Sequence, residues 1–300
     1  MAKRNKSGPV SDKVAARRAV RKAAQQGAMV EDTGHRTFQG LPDEADWVAL
    51  REVVPAATGT ARTTAEYGSR DVMVATLLPM MWPALHREDG VLMVALQKAS
   101  SSGDASRDVA AALLELLETE PGEALDHFEL PGPGPRLQDV LDLDVPFEVT
   151  MYDGFEYTLS ADAEPSEELS RALDDFTNSI VPTKKLQQVH CAYWCRMGSK
   201  EFLRWARTED EEQLLDALAR LHARRESGLD EGSRFVGAFR SGGLLVPVWE
   251  LARGSEAEEI EQVAVDFDER LRVALAVAEP LTADERRARA GLVSRQVTLR

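Results

Sequence analysis

Cysteine is nearly missing from this 300-residue chain, which holds only Cys191 and Cys195. Two thiols cannot build a disulfide framework, and they rule out four-cysteine zinc ribbons. Both lie in VHCAYWCRM, where Val189, Cys191, Tyr193, Cys195 and Met197 alternate with His190, Ala192, Trp194 and Arg196. That period of two, carried mostly by β-favouring residues, predicts a strand. At roughly 3.3 Å per residue the two sulfurs then stand about 13 Å apart, too far to bond or to share a metal. Buried structural thiols are expected, with no metal and no cofactor. Long apolar runs are missing too, so no membrane helix is expected. The start, MAKRNKSGPVSDKV, is basic but has no apolar stretch behind it, unlike a secretory signal; a cytoplasmic location is expected.

The usual chemical motifs are absent as well. No Gly-x-Gly-x-x-Gly or Gly-Lys-Ser/Thr phosphate loop occurs, and no His-Glu-x-x-His helix or Gly-x-Ser-x-Gly elbow. Nucleotide-driven, zinc-hydrolase and serine-nucleophile mechanisms therefore lose their usual footing. No RNA-binding sheet signature is present either. The five tryptophans all sit in apolar contexts, which favours core packing over base stacking.

What the chain does have is segregated charge. Residues 1–26 carry Lys3, Arg4, Lys6, Lys13, Arg17, Arg18, Arg21 and Lys22 against Asp12 alone. The arm is +7 in a chain of −15, which leaves −22 on the rest. Within it, SDKVAARRAVRKAAQ favours helix, with Lys13, Arg17 and Arg21 in one row. Alone, such a helix is short and self-repelling, so it is expected to order only on binding. A cationic arm can touch a polyanion while the acidic body stays clear of it. RNA, DNA or the ribosome is the expected partner of the arm, and another protein that of the body. The bland alternative is a solubilising tail.

Hydropathy divides the rest into two α+β modules: a basic arm over 1–38, a first module over 39–163, a second over 164–252, and C-terminal helices with a basic tail over 253–300. Each module reads helix, β-hairpin, helix, β-hairpin, with mainly antiparallel sheet. The first opens with LPDEADWVALREVV, a helix presenting Trp47, Leu50 and Val54. Strands follow at DVMVATLL and VLMVALQ, separated by PMMWPALHREDG, which its prolines keep out of a regular central strand. ASRDVAAALLELLET is a helix. Asp153-Gly154 within FEVTMYDGFEYTLS predicts a type I′ hairpin. In the second module, SEELSRALDDFTNSIVP is a helix, and VHCAYWCRM with EFLRWAR a hairpin. Thr208 and Glu211 are expected to cap the next helix, and RFVGAFR with LLVPVWEL forms another hairpin. Pro247 calls for an edge or a bulge. Ser255 and Glu258 are expected to cap a long helix striped by Ile260, Val263, Phe267, Leu271 and Leu275.

Only one constellation suggests small-molecule chemistry. If residues 189–197 form one strand, His190, Trp194 and Arg196 share a face, and Arg204 on the partner strand can join them. Arginine forks match carboxylate and phosphate oxygens, so this face could hold an anion. Its bland alternative is a solvated sheet face with Trp194 covered by a helix. His86, in HREDG, reads as a surface turn.

The segments GLPDEADWVALRE, AYWCRMGSKEFLRW, RFVGAFRSGGLLVPVWEL and LTADERRARAGLVSRQVTLR resemble an uncharacterised actinobacterial family, a domain of unknown function. The resemblance spans about residues 38–300. It implies a cytosolic actinobacterial origin and no particular activity. Three functions therefore stand open. The first is a non-catalytic binding or adaptor protein with a polyanion-binding arm. The second is a protein-only interaction module, chaperone- or inhibitor-like. The third is an enzyme acting on an anionic small molecule through His190, Arg196 and Arg204.

Overall fold

Apolar alternation along the strands sets up two sheets, with one helix wedged between them. The structure is a computed structural model that describes residues 36–98, 101–126, 129–160, 163, 166–178 and 180–296. The arm residues Lys3 to Lys22, His35, His127 and Arg300 lie outside the described residues. The wedged helix is α1 (Glu44–Glu52). The first sheet comprises β1 (Ala57–Arg62), β2 (Asp71–Ala75), β3 (Ala84–His86), β4 (Leu92–Ala95), β5 (Ala124–Leu125) and β6 (Val149–Met151). Its order is β5-β3-β4-β2-β1-β6, and only β2 and β4 run parallel. Helices α2 (Ala105–Leu116) and the short α3 (Leu137–Val140) belong to this half, and α4 (Glu167–Thr177) follows it.

The second sheet comprises β7 (Thr183–Lys185), β8 (Ala192–Met197), β9 (Lys200–Trp205), β10 (Arg234–Ser241) and β11 (Leu244–Glu250). It runs β10-β11-β9-β8-β7, antiparallel throughout. Helices α5 (Glu211–Ala223), α6 (Ala257–Leu275) and α7 (Ala283–Gln296) complete the α+β fold. Four strands keep one spatial order in both sheets, β1-β2-β4-β3 and β8-β9-β11-β10. The senses differ, since β2–β4 is parallel and β9–β11 antiparallel. In the second sheet α5 precedes the hairpin of β10 and β11; in the first the β3–β4 hairpin comes directly after β2.

Period-two alternation sorts the side chains into three cores. Val72, Val74, Leu92 and Val94 face α1 and α2, and Tyr193, Leu244 and Val246 of the second sheet join the same core. The other face of the second sheet sends Trp194, Leu203, Trp205 and Trp249 against α5 and α6. The other face of the first sheet sends Ala75, Met93 and Ala95 against Leu78, Phe155 and Tyr157. Helix α1 therefore has a sheet on each side, and every residue from Glu44 to Leu50 is buried. Its expected single apolar face is too narrow a description, because burial runs around the helix. The tip of the β10–β11 hairpin reaches the same helix: Gly242, at φ 55°, lies so close to Val48 that a Cβ there would meet its side chain at 2.9 Å.

Five local expectations are corrected. The hairpin at Asp153-Gly154 does not form, since neither residue adopts the positive φ that a type I′ turn requires. Strand β6 pairs with β1 instead. Phe155 and Tyr157 drop into a buried 3-10 turn, where the Tyr157 hydroxyl donates to the Leu77 carbonyl at 2.9 Å. Burying two aromatic rings outweighs the local strand preference. PMMWPALHREDG contains β3, and His86 is a buried strand residue with Nδ1 2.9 Å from the Thr119 carbonyl. The cap of α5 is Asp210, whose carboxylate accepts from the Gln213 amide. The cap of α6 is Glu256, in a reciprocal box with Glu259. Pro247 lies inside the sheet, where the missing donor costs no ladder bond because β9 pairs β11 only over Val248–Glu250.

Candidate functional site

Of the four residues expected to form an anion-binding face, the fold keeps Trp194 and Arg196 together and sets His190 and Arg204 apart. Cys191 takes φ 54°, which breaks the alternation, so β8 begins only at Ala192. His190 therefore lies in the preceding turn, its side chain 59 % exposed and its Nε2 4.0 Å from Asp43. Its carbonyl accepts from the Trp205 indole at 2.8 Å, which fixes that turn. Trp194 is buried, and its indole donates to the Ser255 carbonyl. Arg196 stacks on Trp194 at 5.0 Å and is bound by two carboxylates, Glu201 at 2.9 Å and Glu256 at 2.5 Å. Arg204 pairs across the sheet with Tyr193, which places it on the opposite face from Trp194. The nearby Arg234 and Arg240 are held by Glu250 and Glu211.

A buried polar cluster lies at the seam between α1 and the second sheet. Asp46 is 1 % exposed. Its Oδ1 accepts from the Tyr193 hydroxyl at 2.6 Å, and its Oδ2 accepts from Lys185 Nζ at 2.7 Å. The Cys191 thiol lies against the same carboxylate. Burial, reinforced by the Asp46 charge, pushes the Cys191 thiol well above its ordinary range. Burial and the neighbouring Cys191 and Asp46 do the same to Tyr193. Both groups thus keep their protons and serve as donors; a protonated, buried thiol is a poor nucleophile. A second arginine, Arg207, stacks on Trp205 at 5.0 Å and pairs with Glu209 and with Asp268 at 2.6 Å.

A third feature is the loop entering α2. Asp108, 1 % exposed, accepts from the Ser101 hydroxyl at 2.9 Å and from the Ser102 amide and hydroxyl at 3.0 and 2.5 Å. Burial lowers the nearby Lys98 to about 8, against the opposing pull of Asp108. Among the described residues, no group of three histidine, cysteine or acidic side chains is placed to hold a metal, and no helix is long and apolar enough to cross a membrane.

Sequence reasoning missed the Asp46–Lys185–Tyr193 cluster. One signal was available: in EADWVAL an acid stands inside an apolar helical stretch, and a buried acid needs a partner.

Residues 37–300 match a family model described as Family of unknown function (DUF5926), and the chain belongs to that family. No curated protein and no solved structure matches the chain.

Proposed function

We propose that this family member is a non-catalytic cytoplasmic binding or adaptor protein whose basic arm, residues 1–26, holds RNA, DNA or the ribosome by its phosphates. The observation that carries the reading is the +7 arm on a remainder of −22. The body supports it by neutralising its own cations. Arg36, Arg62, Arg87, Arg196, Arg234 and Arg240 each lie within ion-pair distance of a carboxylate. These six are therefore engaged within the body, whereas the arm carries eight cations against one acid. Seven phosphate contacts on duplex DNA give a slope of log K against log salt near −6, since each contributes about −0.9.

The test is sucrose-gradient sedimentation of a native-host lysate at low and high salt, comparing the full chain with a deletion of residues 1–26. The full chain is expected to travel with ribosomes or nucleic acid at low salt and to be released at high salt. The deleted form is expected to stay at the top. If the deleted form sediments equally well, the reading is wrong.

A further inference from the structure

We propose that α4 is a displaceable cover, and that the apolar face beneath it receives a basic amphipathic helix from a partner protein. This does not depend on the arm: it concerns the opposite property of the molecule, its apolar surface, and deletion of residues 1–26 leaves it untouched.

Helix α4 is well formed but poorly seated. Ser166 caps it by accepting from the Leu169 amide, and its sequence is sharply divided between apolar and acidic residues. Yet none of its described residues is buried, whereas α2 and α5 each bury seven or more. Leu173 and Phe176, with Ile180 just past the helix end, rest on the outer face of the first sheet. Phe176 meets the edge of Phe155 at 5.8 Å. The one ion pair of α4 among the described residues, Arg171 with Glu167, stays within the helix. Two shallow depressions open to solvent adjoin it, one lined by Tyr152, Ile180 and Pro182, the other by Phe155, Leu173 and Asp174. A helix that buries so little apolar surface gains little from packing, so the cover is held weakly for its size.

The face below is suited to exchange its occupant. The cluster that α4 rests on includes Met93, Leu78 and Phe155, with Met73 and Trp82 packed against the same cluster. Methionines repack around differently shaped ligands. Met80, 52 % exposed and at φ 56°, continues the apolar surface beyond α4. Charge selects the partner. Glu156 and Asp174 line the same depression, so α4 brings an acid to a rim that already carries one. Like charges there favour release. A helix with large apolar residues spaced as Leu173, Phe176 and Ile180 are, and with Lys or Arg where α4 has Asp174, keeps the anchors and reverses the repulsion.

The probe is a fluorescein-labelled peptide of residues 166–181 with lysine at positions 167, 174 and 175, read by fluorescence anisotropy against the full chain. The unaltered acidic peptide is the control. The basic peptide is expected to bind more tightly than the control. Phe176→Ala in the full chain loosens the cover and is expected to tighten probe binding at least about tenfold. Asp174→Lys in the full chain strengthens the cover and is expected to weaken probe binding. Amide-exchange protection of α2 and α5 verifies that Phe176→Ala remains folded; if it does not, Asp174→Lys, a surface change, decides alone. Three results would overturn the proposal: no binding of the basic peptide to any form, equal binding of both peptides, or affinity unmoved by Asp174→Lys. A peptide of residues 11–25 binding more tightly than the probe would make the arm the occupant and overturn the partner assignment.

Discussion

Replacing Asp46 by alanine should loosen the two sheets from each other. The carboxylate accepts two short hydrogen bonds, from Tyr193 at 2.6 Å and from Lys185 at 2.7 Å. Removing it leaves the Lys185 ammonium, only 19 % exposed, and a buried tyrosine hydroxyl without their acceptor. Removing one partner of a buried ion pair costs about 3–5 kcal/mol. Lys185 can still turn toward water, which argues for the low end, about 3 kcal/mol. For a body of this size each kcal/mol is worth about 2 °C or slightly more, so the midpoint should fall by roughly 6–8 °C. Tyr193→Phe removes one donor to a charged acceptor and should cost about 1.5–3 kcal/mol. Because both changes act on one carboxylate, Asp46→Ala with Tyr193→Phe should cost less than the sum, with a coupling above about 1 kcal/mol. Differential scanning calorimetry of the two single variants and the double variant measures all three values. The seam also joins the core that spans both sheets, so the Asp46→Ala endotherm should broaden or split. A shift below about 2 °C, with additive variants, would refute the claim that Asp46 ties α1 to the second sheet.

Other consequences are equally open to measurement. A Cβ at Gly59 would stand 2.0 Å from the Phe147 ring, which itself stacks on Trp47 at 4.1 Å; Gly59→Ala should cost about 1–3 kcal/mol, and Phe147→Leu should recover part of that loss in the double variant. Burial raises both cysteine thiols, so neither should react with a disulfide reagent at pH 8 until denaturant is added; a fast native reaction would contradict the buried placement. The same shifts fix a sign. Above about pH 8.5 the unfolded thiols ionise while the folded ones hold their protons, so stability should fall as pH rises, and Cys191→Ala should lessen that fall. Lys98 runs the other way. Its folded value of about 8 lies below the unfolded one, so the unfolded chain binds more protons between pH 8 and about 10.4 and stability from this group climbs across that window. Lys98→Met should therefore raise the melting temperature at pH 7 and abolish the climb; a lower melting temperature at pH 7 would show that the charge is net stabilising.

Local patterns made most elements legible in advance, and most of the failures arise where the assembled fold decides. The strand pairs at residues 192–205 and 234–250 follow from alternation and two-residue turns, both of which are local. The stripe of α6 follows from helical spacing alone. By contrast, the burial of α1 on all sides depends on Tyr193, which is 147 positions from Asp46. No window of sequence contains both. The residues expected on an anion-binding face are divided for a different reason. A single left-handed residue, Cys191, shifts where the strand begins and leaves His190 in the turn before it, whereas the pairing of Arg204 with Tyr193 follows from the two-residue turn and was legible. At Asp153-Gly154 the turn dipeptide was a true local preference, but it competed with burial of Phe155 and Tyr157 and lost. Helix α4 shows the converse. Its amphipathic pattern predicts a helix, and a helix forms, but amphipathicity states only that an apolar face exists and says nothing of how tightly it is held. The strength of that hold depends on how little of the helix is buried and on Glu156 and Asp174 lining one depression, and both are properties of the assembled surface.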